Sequence, residues 1–314
     1  MSVTADSNDV LQELLKPTEA RFHWVRDRLI SLLESGEAPS LSASALKLMD
    51  LLSREGVQME DLEKLIEVDP GLASRCIRVA SSVMYGARSI TSIQQALMTI
   101  GFSEIRRLAC AIGVVDAFSR LKVQVDWKKF WLHSLLVGRL TQSIAAKFRP
   151  TTGAEYLAGL LHDMGKLVIE HNFPTEFEAV LLRSLERNCG HAVVERHFLG
   201  IDHARIGAAM CHVMKVTPAV RDAVLHHHSV FNALSPVRRL PDQGLLTACV
   251  ATADALANSC GAGIVASKAI GDVEKMDSWK FLTTHFKADG ALDLDLEKER
   301  DKADADLSAL GIVS

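Results

Sequence analysis

The chain lacks most of what would mark a membrane, secreted or nucleic-acid-binding protein. No apolar run approaches the roughly 20 residues of a membrane span, and the opening MSVTADSNDV has neither the charged start nor the apolar stretch of a signal peptide. A cytoplasmic location is expected. The six cysteines (Cys76, Cys110, Cys189, Cys211, Cys249, Cys260) form no CxxC pair and lie mostly among apolar residues, as buried reduced thiols do. The formal charge is only -4, and the basic pairs Arg106-Arg107 and Arg238-Arg239 stand isolated, so no continuous basic stripe exists for a nucleic-acid backbone. Aromatics make up 5%, yet 48% hydrophobic against 24% charged residues excludes wholesale disorder.

Sustained strand alternation is missing as well, and nearly every segment carries helical period, so an all-α chain is expected. With 314 residues it has the length of about two domains. Phe22, Val25, Leu29, Leu32 and Leu33 form one stripe that stops at Gly36; Leu41, Ala45, Leu48 and Leu52 form the next, before Gly56. A short helix spans Met59 to Val68, and Asp69-Pro70 restarts the chain as a cap followed by a first-turn proline. Ser92 opens another helix closed by Gly101, and Ser103 is positioned to cap the one after it.

The polar stretch Lys122 to Lys129 separates these helices from a longer one over Phe130 to Phe148. The chain is therefore read as an N-terminal helical bundle over 1–125, a second helical domain over 126–270, and a charged C-terminal helix or tail over 271–314. In that tail acidic residues outnumber basic ones over 287–306, and the apolar stripe Leu296, Ala303, Leu307 and Leu310 is weak. A solvated helix is expected there, with partner docking as the alternative.

Most of the histidines fall in the second half. The run AGLLHDMGKL places His162, Asp163 and Lys166 in an apolar helix-like segment, where burial of all three would cost several kcal/mol unless they are paired or hold an ion. In a continuous helix His162 and Lys166 would share a side, one turn apart. Two readings stand: an ion pair of Asp163 with Lys166 beside a core histidine, or a metal held by His162 and Asp163. His133, His203, the triplet His226-His227-His228, and Asp254 in CVATADALA lie on other apolar helices. Helical bundles build divalent-metal sites from such convergent donors.

These residues, in this order, resemble the HD superfamily of metal-dependent phosphohydrolases and above all its HDOD branch, a signalling output module. The resemblance covers roughly residues 20 to 262. It rests on VDPGLASRCIRVASSVMYG, ALMTIGFSEIRRL, FWLHS, AGLLHDMGKLV, ERHFLGIDHARIGAAM and AVLHHH. It implies that His133, His162, Asp163 and Asp254 hold one metal, and that His203, from an H-xxx-G segment ending at Gly207, joins His227 and His228 at a second. His191 is the alternative to His203; His171, His197 and His212 have no role by this resemblance. Lys166 resembles a lysine that reaches a substrate phosphate, and Asp163 would be both ligand and orienter of water.

The chain departs from its relatives in places. After His228 it reads SVFNALSPV, without the GYP tripeptide of relatives that hydrolyse cyclic di-GMP; Ser81 replaces the usual asparagine, and the leading LP pattern is reduced to APSLS. The expected function is a signal-transduction output or protein-interaction module with one or two retained divalent ions: iron, manganese, nickel or zinc. The alternatives are a metal-dependent phosphohydrolase using Asp163 and Lys166, and a diiron redox site. Its partner would be a signalling protein or a phosphorylated small molecule, with no nucleic acid and no membrane.

Overall fold

Asp69 and Pro70 show how this sequence makes its helices. In the computed structural model, the Asp69 carboxylate accepts from the backbone N–H of Leu72 at 3.0 Å, and Pro70 takes the first helical position, where no N–H is needed. Ser92, Asp126, Asp202 and Asp295 repeat the device, each side chain receiving the N–H three residues on at 3.0 to 3.1 Å. The structure describes residues 5–52, 57–82, 85, 89–229, 231, 242, 244–262, 273–286 and 294–312. Among them every regular element is helical and no strand occurs, as the periodicity predicts. No described helix is long and apolar enough to cross a membrane.

The first helices are α1 (Ala5–Leu14), α2 (His23–Glu34), α3 (Ala43–Leu52), α4 (Met59–Glu67), α5 (Pro70–Ala80), α6 (Ile93–Ile100) and α7 (Phe102–Phe118). After the 122–126 connection come α8 (Trp127–Ala145), α9 (Ala154–Leu161), α10 (Met164–Asn172), α11 (Pro174–Arg187), α12 (His191–Leu199) and α13 (His203–Val213). The chain ends with α14 (Pro218–His226), α15 (Leu245–Ser259), α16 (Asp277–Phe286) and α17 (Leu296–Ala309).

Two expectations about helix starts change. Ser103 does not cap α7: Gly101, at φ 88°, both ends α6 and begins α7, turning the chain in the left-handed region with no residue to spare. The long helix expected from Phe130 begins at Trp127, because Asp126 caps it.

Leu48, Leu62, Ile66, Cys76 and Ile105 are fully buried where α3, α4, α5 and α7 meet. Helix α8 is a central spine packed against α9, α15 and α17, which accounts for the complete burial of Phe130, Trp131 and Leu135. Around it, α13 pairs with α10 and α14, and α14 reaches α15 and α9. Helices α8, α9, α10, α13, α14 and α15 thus enclose one centre. The first residues also reach this half: Arg205 of α13 donates to the carbonyls of Glu13 and Leu14. Cys76, Cys110, Cys211 and Cys249 are buried, and burial pushes the first three thiols up to about 12.

The C-terminal helix departs from the solvated expectation. Ala303, Leu307 and Leu310 of α17 are buried, and Asp306, 1% exposed, receives Nε and Nη2 of the fully buried Arg139 on α8 at 2.9 and 2.6 Å. A weak apolar stripe suffices because a buried ion pair anchors it.

Candidate metal centre

The His162-Asp163 pair does not lie inside one helix. Helix α9 ends at Leu161 and α10 starts at Met164, with Asp163 at φ -102°, ψ 0° between them. At this bend Lys166 Nζ approaches Asp163 Oδ2 to 2.5 Å. Two close helix approaches bring the remaining groups in. A Cβ on Gly159 would stand 2.6 Å from the Val137 carbonyl of α8, and one on Gly165 would collide with the His203 carbonyl. Only glycine lets α9 lie on α8, which carries His133, and α10 lie on α13, which begins with His203.

The seven side chains predicted as ligands gather in two groups, each with donor atoms within 4.8 Å of one another: His133, His162 and Asp254; and Asp163, His203, His227 and His228. In the first, His133 Nε2 lies 3.2 Å from Asp254 Oδ1 and 3.3 Å from His162 Nε2. In the second, Asp163 Oδ1 lies 3.2 Å from His203 Nε2 and 3.9 Å from His227 Nε2, and the Nε2 atoms of His203 and His228 are 2.8 Å apart. Asp163 also links the groups, its Oδ2 being 3.5 Å from His162 Nε2 and 3.6 Å from His133 Nε2.

Three of the imidazoles are held by their far nitrogens, while His133 Nδ1 is buried without a partner. His162 Nδ1 pairs with the Gly159 carbonyl at 2.7 Å, His227 Nδ1 with the Val224 carbonyl at 2.7 Å, and His203 Nδ1 with Glu195 Oε2 at 2.6 Å. Each carbonyl or carboxylate oxygen accepts a hydrogen bond from Nδ1–H, so these three rings turn Nε2 toward the centre; ligating histidines are oriented in this way. His227 Nε2 is buried with no hydrogen-bond partner. Burial, followed by His162 and His203, pushes that imidazole down to about 3, leaving an unused lone pair in the interior. A cation would satisfy it, so the donor set fits divalent metal ions of the kind that accept imidazole and carboxylate.

The electrostatics are those of a compact charged cluster. Burial opposes the Asp163 carboxylate, but His162, Lys166 and His203 together hold it well below the carboxylate range. Burial likewise opposes a charge on His203, and Glu195 outweighs it, pushing the ring up to about 9. Asp254 is steadied by Asn258, whose Nδ2 donates to Oδ1 at 2.7 Å.

A cleft of about 320 Å³ opens onto both groups, with His133, Asp163, Lys166, His203, His228 and Asp254 on its inner walls. His191 also lines the cleft but belongs to neither donor group. His171 sits instead on the 122–126 connection, receiving the Lys122 N–H at 3.2 Å, and His197 and His212 lie outside both groups. The segment after His228 lies almost wholly outside the described residues. Sequence reasoning missed Glu195 and Asn258. Glu195 lacked the signal that singled out Asp254, because Arg196 and His197 directly after it make the segment read as a charged surface turn.

The sequence model of the HDOD domain matches residues 38–230, more than half of the chain. The chain belongs to the HDOD domain family. Among solved structures, this HDOD protein is similar to an HDOD domain protein of unknown function from Geobacter sulfurreducens, with a TM-score of 0.70, 24% identity, and 91% of this chain and 96% of that chain covered. It is also similar to a protein from Marinobacter aquaeolei VT8 named provisionally for signal transduction, with a TM-score of 0.69, 22% identity, and 99% and 67% covered. At these identities the likeness is one of fold. A curated relative, an uncharacterised protein from Treponema pallidum (strain Nichols), is 22% identical over 200 residues, which is 63% of this chain and 39% of that protein's length. The HDOD protein thus spans well under half of that relative.

Proposed function

We propose that this HDOD protein is a signal-transduction output module that retains a two-ion metal centre, with His133, His162 and Asp254 holding one ion and Asp163, His203, His227 and His228 the other. One observation carries the reading: the His227 lone pair, buried and unpartnered, points into a cluster in which His162 and His203 are likewise anchored through Nδ1. Buried polar atoms are rarely left unpaired. Iron, manganese, nickel and zinc all accept such donors. Plasma mass spectrometry of the purified full chain, beside Asp163→Ala prepared identically, tests the reading. One or two equivalents of metal, lost in the variant, are expected; none after anaerobic reconstitution overturns it.

A second reading, a metal-dependent phosphohydrolase, is favoured by the cleft that gives outside molecules a path to both groups. Divalent ions there would lower the pKa of bound water and polarise a phosphoryl oxygen. Lys166 would neutralise developing negative charge, although its 2.5 Å contact with Asp163 occupies it in this conformation. Turnover of phosphomonoesters by the metal-loaded chain, abolished in Lys166→Met with metal content preserved, is the result this reading requires.

A further inference from the structure

The cleft has two chemically different halves. Inward stand the donor groups and Lys166; outward, the last turn of α11 and the turn into α12 contribute Ser184, Leu185, Asn188, Cys189, Gly190 and His191. Leu185 is 57% exposed, and Leu182, one turn earlier on the same helix, is 56% exposed. A single solvent-facing leucine needs no explanation. Leu182 lies one turn beyond the lining, but Leu185 stands in the wall of a cleft otherwise rich in imidazole and carboxylate, and with the neighbouring Cys189 it gives the outer half an apolar surface. His191 faces the same space. Its Nδ1 is buried without a hydrogen-bond partner, and burial, with Lys166 adding to it, pushes the ring down to about 4. A neutral imidazole offers a ligand one N–H and one lone pair.

We propose that the outer half of the cleft binds the organic part of a phosphomonoester built on a single apolar ring, with Leu185 and Cys189 against the ring, His191 hydrogen-bonded to an ester or phosphate oxygen, and the anionic end turned inward to Lys166 and the donor groups. The inference rests on the metal reading above. Two divalent ions would outweigh the charges of Asp163 and Asp254, and Lys166 adds a further positive charge, so the inner half favours a dianion. The cleft's volume of about 320 Å³ lies at the lower end of small-molecule pockets, roughly 300–1,000 Å³. That space suits one ring with one phosphate better than a peptide segment or a two-base nucleotide. The module would then respond to a small phosphate ester at its metal centre.

Isothermal titration of the metal-loaded full chain with phenyl phosphate and with methyl phosphate tests this. Phenyl phosphate is expected to bind about tenfold more tightly, the gain from covering leucine surface with a ring. Leu185→Ser, which removes the apolar surface without adding charge, should remove that preference, with metal content and the circular dichroism spectrum read as controls. His191→Ala should weaken both esters alike. Equal affinities for the two esters, or a preference that survives Leu185→Ser, overturn the subsite and leave the metal centre standing. Absence of metal together with absence of binding of either ester overturns both.

Discussion

His203 and Glu195 meet in the interior with no solvent on either side: Nδ1 lies 2.6 Å from Oε2, and the same oxygen receives the His203 backbone N–H at 2.7 Å. Glu195 therefore fixes both the start of α13 and the ring that leads it. Glu195→Gln keeps the shape but removes the charge. It should weaken metal binding by about 10- to 100-fold, as loss of a group behind a ligating histidine does. Competition with a chromogenic chelator would measure it, and unchanged affinity would show that Glu195 serves the fold alone.

Arg139 and Asp306 form a buried pair joining α8 to α17, with Glu104 and Glu299 at 3.4 and 3.8 Å from the guanidinium. Asp306→Ala would leave the buried guanidinium with only the longer Glu104 and Glu299 contacts, and a loss of about 3 kcal/mol, the lower end for a broken buried pair, is expected in urea unfolding. Replacing both partners, Arg139→Met with Asp306→Leu, should cost far less, since no charge is then left unpaired. A cost below about 1 kcal/mol for Asp306→Ala would mean that water reaches the pair.

His191 gives the metal-free chain a pH dependence. Its folded-state value, pushed down to about 4, lies below that of an unfolded histidine near 6.5. The unfolded chain therefore takes up the proton first: stability is complete above about pH 6.5 and falls as pH drops toward 4. His191→Gln should flatten this fall by up to about 1.4 kcal/mol per pH unit. Unfolding curves of both proteins across that window decide it; identical slopes would show that the ring is solvated.

Gly165 is the crossing point of α10 and α13, where an added Cβ meets the His203 carbonyl and stands 2.9 Å from the Gly207 nitrogen. Neither backbone atom can swing away. Gly165→Ala should cost about 1–3 kcal/mol, as overpacking does, and should lower metal content by parting Asp163 from His203. Thermal melting with metal analysis on one sample would check both effects.

Much of the site was legible because its chemistry is written in residue types that apolar helices otherwise avoid. His133, His162, Asp163 and Asp254 stand out against their neighbours wherever the helices come to lie. The choice between His191 and His203 was less accessible: each begins a helix, and only the segment pattern around Gly200 and Gly207 favoured His203. The bend at His162-Asp163 left no trace either, since neither glycine nor proline marks it.

By itself the sequence determined the helical class, most helix starts and the set of donor residues, because caps, periodicity and lone charges act over three or four residues and need no distant partner. Only the tertiary structure decided that α17 docks on α8, that Glu195 backs His203, and that Lys166 pairs with Asp163 at the wall of a cleft. Each of these rests on where a helix lands and which side it turns. That is set by packing between segments far apart in the chain, where a weak apolar stripe and one buried charge outweigh a surface that otherwise reads as solvated.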